Sequence, residues 1–270
     1  MELKECNYCL AQYEPARGTS QYCSDSCRAN KNRKNDTTTR KLNKLLKEKG
    51  LPTTIAHGSL TIKFLETGIK QIDEMTGGFP IRRITEIYGM KGVGKTSLIT
   101  RLFNADAKIL YIDTENAIVN PPSNVTQVHE YLLENVSEVV DDALGLDYDM
   151  IVVDSVASMV PRAEIEGDTG DAHMGLKARL MGQWMRRINV KLSKSNTALV
   201  FINQERDTMN AYGYQKFTPG GHALPYAASL RLELKTVKKD RKEDGHMVTV
   251  KVEKSRVCKP HQETRFKLEY

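Results

Sequence analysis

Residues 84–97 read Ile-Thr-Glu-Ile-Tyr-Gly-Met-Lys-Gly-Val-Gly-Lys-Thr-Ser. An apolar, β-branched run leads into a glycine-rich segment, and a stretch with helical apolar periodicity follows. The pattern predicts a strand, a tight turn and a helix. The turn matches G-x-x-x-x-G-K-[ST], the phosphate-binding loop of nucleotide-binding proteins. This stretch therefore predicts an α/β domain with a nucleotide site.

Each residue type in the loop has a chemical reason. Glycines let the backbone form a concave nest of N–H groups around a polyphosphate, and the following helix adds the partial positive charge of its N-terminus. Lys95 supplies a cation for the β- and γ-phosphates of ATP, and the Thr96 hydroxyl is a hard oxygen ligand for Mg²⁺. The segment assigned to nucleotide binding is Gly89, Met90, Lys91, Gly92, Val93, Gly94, Lys95, Thr96 and Ser97.

Composition limits the class of protein. The 270 residues, 40% of them hydrophobic, suffice for one α/β core and a small appendage. No stretch approaches the roughly 18 apolar residues that span a bilayer, and the N-terminus has no signal-peptide apolar region, so we expect a cytoplasmic protein that does not contact membranes. The net charge of +6 is concentrated in residues 1–50, which hold eleven Lys and Arg against six Asp and Glu. Attraction to polyanions is therefore expected at the N-terminus.

Two close cysteine pairs lie in the first thirty residues. Cys6 and Cys9 are separated by two residues, Cys23 and Cys27 by three, and thirteen residues lie between the pairs. This spacing is typical of a tetrahedral four-cysteine zinc site. Unligated cysteines or a redox pair are the alternatives. A segment this polar buries little surface, so the metal would supply its folding energy.

Composition shifts predict three segments. Residues 28–49 hold nine Lys and Arg against two acids, and three leucines fall on one face of a short helix. A solvated linker, contact with nucleic-acid phosphates and docking on a neighbouring subunit all remain open for this stretch. The predicted segments are a zinc-binding module over 1–35, a basic helix or linker over 36–52 and an ATPase core over 53–270.

Two apolar runs downstream of the loop end in carboxylates. One ends in Asp113-Thr-Glu115 and the other in Asp154-Ser155. Because α/β sheets place ligands at the carboxyl ends of their strands, Glu115 is expected to polarise the water that attacks the γ-phosphate. Asp154 is expected to hold the Mg²⁺ hydration shell, as in a Walker B strand. An ordinary cap or salt bridge is the alternative for Glu115.

Two long polar loops follow later strands. The first covers residues 161–175, and the second is a flexible segment from Asp207 to His222. Such loops are uncommon in a compact domain unless they bind something. The second loop places aromatic residues between glycines, which suits contact with unstacked bases, although the rings can also pack on their own loop.

The remaining patterns complete the fold class. Residues 229–234 and 247–256 alternate with period two and predict antiparallel strands. We therefore expect an α/β fold: a mostly parallel twisted sheet flanked by helices, antiparallel strands at its C-terminal edge, and a small N-terminal zinc-binding module.

The chain resembles the RecA family of recombinases, its bacterial branch in particular, over about residues 62–270. Neither polar loop sequence is required of P-loop ATPases in general, so the resemblance is to this family and not only to the fold. It implies a RecA-like P-loop NTPase core and a DNA-dependent ATPase that converts ATP to ADP and phosphate. The most specific stretches are residues 86–96, 152–158, 163–176 and 195–204.

The resemblance implies roles for matching positions. Gln204 would sense the γ-phosphate and relay its presence to the second DNA-binding loop, and Lys254 and Arg256 match a basic pair that reaches the ATP of a neighbouring subunit. The implied catalytic set is Lys95, Glu115, Asp154 and Gln204. The residues expected to contact single-stranded DNA are Arg162, Met174, Gly175, Arg179, Arg186, Arg206, Tyr212, Tyr214, Phe217, Gly220 and Gly221.

The expected function is that of an ATP-dependent recombinase in recombination and DNA repair. It would form a helical filament on single-stranded DNA, pair it with homologous duplex DNA and promote strand exchange. One alternative is a RadA-like or annealing-type mediator ATPase working with a single-strand-binding protein, and another is a DNA-binding regulator with a vestigial ATPase. The sequence has no counterpart of the family's C-terminal domain, which favours the mediator, whereas the Lys254–Arg256 pair favours the filament.

Overall fold

The computed structural model divides the chain into two compact units, residues 1–61 and 62–270. Of the candidate site residues, Cys9, Met174 and Tyr212 lie outside the described residues, as do most of the predicted linker residues 36–52. No helix within the described ranges is long and apolar enough to cross a membrane. The structure describes residues 4–6, 12–13, 21–24, 27–28, 44–50, 62–104, 106–168, 175–210, 213–238 and 245–268.

Strands and helices alternate through much of the larger unit, and the N-terminal unit adds two short strands. The strands are β1 (Lys4–Glu5), β2 (Gln12–Tyr13), β3 (Phe64–Leu65), β4 (Phe79–Pro80), β5 (Ile84–Gly89), β6 (Ile109–Asp113), β7 (Val125–His129), β8 (Met150–Asp154), β9 (Ala198–Gln204), β10 (Arg206–Asn210), β11 (Gly213–Phe217), β12 (Leu230–Lys238), β13 (His246–Ser255) and β14 (Glu263–Leu268). The α-helices are α1 (Lys70–Thr76), α2 (Lys95–Thr100), α3 (Leu133–Ala143), α4 (Arg162–Glu166), α5 (Leu176–Leu192) and α6 (Ala223–Ala227). Two 3-10 helices span Arg101–Asn104 and Val156–Ser158.

Within its described residues, the N-terminal unit contains a short strand pair and a helical segment. Strands β1 and β2 form an antiparallel pair. Cys6 and Cys27 are buried, and Tyr13 and Tyr22 pack against them. Residues 44–48 are helical, within the stretch where the sequence predicts a short helix.

The larger unit is built on an eight-stranded sheet in the order β14-β13-β12-β5-β9-β8-β6-β7. The six strands from β12 to β7 run parallel, and β13 and β14 add antiparallel strands at one edge. This arrangement confirms the predicted fold class. Strands β5, β6 and β8 are buried along their whole length, as is typical of parallel strands covered on both faces of a sheet.

Successive residues of the central strands point to opposite faces. In β6, for example, Ile109 and Tyr111 join one core cluster, and Leu110 and Ile112 join the other. Two cores therefore hold the sheet in register, because a one-residue slip would move every side chain to the wrong face.

The second polar loop differs from its prediction. The sequence predicts a flexible segment from Asp207 to His222, but β10 and β11 form an antiparallel hairpin that pairs Arg206 with Phe217. The hairpin contains β-favouring residue types such as Thr208 and Tyr214. In the sequence, the glycines nearby favour a loop and outweigh this strand signal. The first polar loop begins with the short helix α4.

A buried ionic network joins three central strands. Arg231 of β12 donates from Nε to Glu86 Oε2 of β5 at 2.6 Å, and Asn203 of β9 donates to Glu86 Oε1 at 3.0 Å. The Arg231 guanidinium also lies over the Tyr88 ring, 4.5 Å from its centroid. The Glu86 side chain is 0% exposed, so its charge depends on these partners.

We expect Arg231→Met to lower the free energy of unfolding by about 3 to 5 kcal/mol, because it leaves the buried Glu86 carboxylate without its cation. Urea denaturation measures this change. The matched control is Arg265→Met, since Arg265 pairs with Glu263 on the surface at 3.6 Å and should cost less than about 1 kcal/mol. Equal losses in the two variants would contradict the prediction.

Candidate functional site

The glycine-rich loop connects buried strand β5 to helix α2. Gly94 ends the loop with φ of 94°, and a Cβ there would lie 2.4 Å from Leu268 Cδ2, so this position requires glycine. Lys95 follows as the first helical residue, and its Nζ donates to the carbonyls of Gly89 at 3.0 Å and Met90 at 2.9 Å. The loop therefore curls around the lysine ammonium, as a phosphate site requires.

Burial lowers the pKa of Lys95, and the nearby charges of Asp154 and Glu115 oppose that change. The ammonium thus lies in a partly desolvated place where an added anion would stabilise its charged form. A triphosphate in the loop would supply that anion.

Beside the loop, two hydroxyl groups donate hydrogen bonds to one carboxylate oxygen. Thr96 donates from Oγ1 to Asp154 Oδ2 at 2.7 Å, and Tyr111 donates from its hydroxyl to the same oxygen at 2.6 Å. Burial raises the pKa of Asp154, although these two hydrogen bonds work against it. A hydroxyl and a carboxylate this close match the hard-oxygen preference of Mg²⁺. The residues present therefore fit the predicted magnesium site.

Glu115 is held by donors from two other strand ends. Its Oε1 accepts hydrogen bonds from the hydroxyls of Ser155 and Ser158, the latter at 2.8 Å, and from Gln204 Nε2 at 3.2 Å. Glu115 is exposed despite these contacts. Its carboxylate is thus oriented and also accessible to water.

Asp113 has a different task from its neighbour. Its buried carboxylate accepts from the backbone N–H groups of Glu115 at 3.2 Å and Ala117 at 3.0 Å, and from Gln127 Nε2 at 2.9 Å. Asp113 therefore shapes the turn that presents Glu115. The sequence predicts two carboxylates at this strand end, and the structure separates a positioning residue from a candidate catalytic residue.

A cleft of about 340 Å³ brings the predicted catalytic set together. Tyr111, Ser155 and Ser158 are functional candidates that the sequence motifs do not predict. Ser155 and Ser158 follow the Asp154 strand directly, which is the signal that could have indicated them. The cleft is lined by Lys91, Gly92, Gly94, Lys95, Thr96, Ser97, Glu115, Asp154, Ser155 and Gln204.

Gln204 also adjoins the second candidate DNA-binding segment. Strand β9 pairs Gln204 with Gly89 of β5, and the next residue, Glu205, donates its N–H to the Gly89 carbonyl at 2.9 Å. The hairpin begins at Arg206, and Lys216 in its second strand donates to Glu205 Oε2 at 3.0 Å. The phosphate loop and the hairpin are therefore neighbours through Gln204.

The candidate DNA contacts in the second segment are of two kinds. Arg206 and Phe217 are exposed in the hairpin, whereas the structure does not describe the side chain of Tyr214. Gly220 and Gly221 have φ of 94° and 75° and close the segment. Added Cβ atoms would come within 3.1 Å of Val156 and 2.8 Å of Ala178, so close packing also explains these two glycines.

The candidates of the first segment lie on or beside helices α4 and α5. Arg179 and Arg186 are exposed on α5, which Gly175 precedes with φ of 73°. Arg162 of α4 donates to Asn135 Oδ1 at 2.7 Å. These arginines present cations to solvent on the part of the chain that carries the polar loops.

Lys254 and Arg256 lie together at the end of helix α6. Lys254 donates to the carbonyls of Pro225 at 2.7 Å and Tyr226 at 2.9 Å, and Arg256 donates to Tyr226 at 3.1 Å. Burial and the adjacent Arg256 lower the pKa of Lys254. Neither residue is among those that line the cleft of its own chain.

Three of the four predicted zinc ligands form a cluster. The Sγ atoms of Cys6, Cys23 and Cys27 all lie within 4.8 Å of one another, and those of Cys23 and Cys27 are 3.5 Å apart. The Cys23 N–H donates to Cys6 Sγ at 3.3 Å, a contact that stabilises a thiolate. Soft sulfur ligands in this arrangement fit zinc.

Comparisons with known proteins agree on one family. The family model described as the RecA N-terminal domain matches residues 37–270. Among curated relatives, Protein RecA of a Nostoc species is 38% identical over 232 residues, which cover 77% of this chain and 63% of the relative. Protein RecA of Herpetosiphon aurantiacus is 37% identical over 245 residues, covering 82% and 67%, and that of Francisella philomiragia is 35% identical over 235 residues, covering 77% and 63%. The chain thus spans about 63% of the length of the first relatives.

We expect Lys95→Ala to weaken ATP binding by about 10- to 100-fold, because it removes a charge-assisted bond to phosphate. Lys70→Ala is the matched control, since Lys70 is an exposed lysine of α1 that does not line the nucleotide cleft. Its ATP affinity should stay within about threefold of the wild type, because its exposed charge is screened by solvent. Titration with a fluorescent ATP analogue checks both, and equal weakening would remove the special role of Lys95.

Proposed function

Because this chain belongs to the RecA family, we propose that it is an ATP-dependent recombinase that assembles on single-stranded DNA and promotes homologous pairing and strand exchange. The contact at 3.2 Å between Gln204 and Glu115 carries the proposal. It joins the residue that precedes a candidate DNA-binding hairpin to the carboxylate that faces the nucleotide cleft.

The cleft residues suit ATP hydrolysis. The loop backbone and Lys95 bind and orient the triphosphate, and Thr96 and Asp154 would hold Mg²⁺, which supplies positive charge at the β- and γ-phosphate oxygens. The exposed Glu115 carboxylate accepts a hydrogen bond from the attacking water and takes up its proton as the general base. Ser155 and Ser158 fix the direction of that carboxylate before the reaction.

Gln204 would couple the nucleotide to DNA. Its amide contacts Glu115, and it can instead bond a γ-phosphate in the cleft. The two hydrogen-bonding arrangements of Gln204 would hold the end of β9 in different positions. The hairpin starts two residues after Gln204, so its position would change as well. ATP would therefore favour one position of the hairpin, and hydrolysis would release it.

Assembly into a filament would use the basic pair at the end of α6. Lys254 and Arg256 lie away from the cleft of their own chain, so they are available to the ATP of the next subunit. Such a head-to-tail contact produces an open helix when the rotation does not close. The proposed partners are single-stranded DNA, homologous duplex DNA, further copies of this chain and a single-strand-binding protein. Binding through the backbone would be independent of sequence and weakened by salt.

Measurements of oligonucleotide affinity with ATP, with ADP and without nucleotide test this proposal. We expect tighter binding of single-stranded DNA with ATP than in the other two states, and negative-stain images with a non-hydrolysable ATP analogue should show continuous helical filaments. Strand exchange between a labelled oligonucleotide and a homologous duplex should require ATP. Equal affinity in all three states would contradict the coupling on which the proposal depends.

The role of Glu115 is tested by Glu115→Gln, which keeps the side-chain oxygen but removes the base. We expect the kcat of DNA-stimulated ATP hydrolysis to fall by about 100-fold or more, with ATP still bound and DNA held longer. Glu138→Gln on α3 is the control, because Glu138 is exposed and outside the nucleotide cleft. Hydrolysis at the wild-type rate in Glu115→Gln would remove the catalytic assignment.

We also propose that Cys6, Cys23 and Cys27, with Cys9 as a fourth ligand, bind one structural zinc ion. The mutual distances of the three described thiols support this site, and thiolates stabilised by backbone N–H groups bind zinc well. The metal would supply the folding energy that a unit with so few buried apolar residues lacks.

Elemental analysis of protein expressed without added metal should find about one zinc per chain. The double variant Cys6→Ser/Cys27→Ser should lose it on dialysis. Cys258→Ser is the matched control, because Cys258 lies elsewhere and contacts Ser255 Oγ at 3.1 Å. Absence of metal from the wild type, or its retention in the double variant, would contradict this site.

A further inference from the structure

The 3-10 turn Val156–Ser158 contacts the candidate catalytic carboxylate of Glu115, helix α5 and the end of the second polar loop. Ser158 donates from Oγ to Glu115 Oε1 at 2.8 Å. On another side, Lys177 of α5 donates from Nζ to the Ala157 carbonyl at 3.0 Å. The end of the second segment packs against Val156, because a Cβ at Gly220 would lie 3.1 Å from its Cγ1.

Lys177 is a half-buried cation close to the turn. It lies on the first turn of α5, two residues after Gly175. Burial, followed by repulsion from Arg206, lowers the pKa of Lys177 to about 8, and attraction to Glu164 opposes this change only in part. The charged ammonium would be stabilised by an anion here.

The ammonium also has hydrogen-bonding capacity for an anion. An ammonium carries three protons, and within the described part of the chain Lys177 uses one of them, for Ala157. Arg206, the first residue of the hairpin, also repels this ammonium. A phosphate oxygen between them would relieve this repulsion while leaving the bond to Ala157 in place.

We propose that the turn Val156–Ser158 is a second link between DNA and ATP hydrolysis, in which Ser158 is a positioning residue for Glu115 and Lys177 holds the turn while binding a phosphate of single-stranded DNA. This inference rests on the proposed DNA-dependent ATPase and identifies how the same site is regulated. It uses residues other than Gln204, so it is a separate route to the same carboxylate.

The link works through differential stabilisation. A DNA phosphate contacts Lys177 best when its ammonium is charged and directed toward the polar segments, and this arrangement also keeps the bond to Ala157. The Ala157 carbonyl then fixes the turn, and the neighbouring Ser158 hydroxyl stays on Glu115. DNA thereby favours the arrangement in which Glu115 is oriented, because it adds a contact made only there.

Ser158→Ala tests the positioning role. We expect the kcat of DNA-stimulated hydrolysis to fall by about five- to tenfold, with the KM for ATP changed by less than about twofold, since the lost bond orients the base and does not touch ATP. Ser158→Thr keeps the hydroxyl and should restore most of the rate. Ser193→Ala is the control, because Ser193 is exposed beyond the end of α5.

Lys177→Met tests the contact with DNA. At saturating oligonucleotide, the ratio of DNA-stimulated to DNA-independent hydrolysis should fall by about fivefold, and Lys177→Arg should keep most of it because it retains the charge and the donors. Lys194→Met is the control: Lys194 is exposed, and the 17-residue helix α5 separates it from Lys177 by about 25 Å.

The outcomes separate the two proposals. A wild-type protein without DNA stimulation overturns the proposed function itself. A stimulated wild type whose Ser158→Ala and Lys177→Met variants keep the stimulation ratio within twofold overturns only the link. A Lys177→Met variant that loses DNA affinity but keeps the full ratio at saturation also overturns it. Thermal unfolding of each variant by circular dichroism shows whether a loss of rate reflects loss of the fold.

Discussion

The register of the central parallel strands is the constraint on which the site depends. Strand β5 pairs Gly89 with Gln204 of β9, and β6 pairs Asp113 with Asp154 of β8. These pairings bring the phosphate loop, the candidate magnesium ligands and the candidate catalytic carboxylate to one edge of the sheet. A central strand that slipped by one residue would move its side chains into the opposite core, so the packing that stabilises the domain also fixes the positions of the groups at this edge.

The electrostatics at this edge explain why the site needs its ligands. Asp154 and Glu115 lie near a single buried cation, Lys95, and burial makes both Asp154 and Lys95 costly to keep charged. Tyr111 adds a neutral donor to Asp154, and its own pKa is raised by burial and by that carboxylate, so it stays protonated. Bound Mg²⁺ would balance the carboxylate, and triphosphate would balance the lysine. Each ligand would thus offset the cost of burying one charged side chain of the cleft.

Much of this site could be predicted from local sequence patterns. The glycine-rich loop and the acid-terminated strands identify Lys95, Thr96 and Asp154, since each depends on a short motif with a fixed position in an α/β fold. Ser158 and Lys177 could not be found in this way, because their roles arise from contacts between segments distant in sequence. The sequence predicts a flexible segment where the structure has the hairpin β10–β11, because its glycines indicate a loop more strongly than its β-favouring residues indicate strands. Glu115 and Asp113 illustrate a further limit: both are acids at one strand end, and only the direction of their side chains separates their tasks.

Two hydrogen-bond donors from different segments meet at Glu115, and this arrangement has a consequence for how DNA would regulate ATP hydrolysis. Gln204 and Ser158 both donate to Oε1 of the same carboxylate, one from the end of β9 and the other from the turn after β8. If Gln204 bonds a γ-phosphate as proposed, Glu115 would lose one donor while ATP is bound. The serine donors would then hold the carboxylate alone, so a ligand that stabilises their turn would have its largest effect in the ATP-bound state. Coupling of DNA to hydrolysis would in this way be strongest when ATP is present, without a rigid chain of contacts between the two sites.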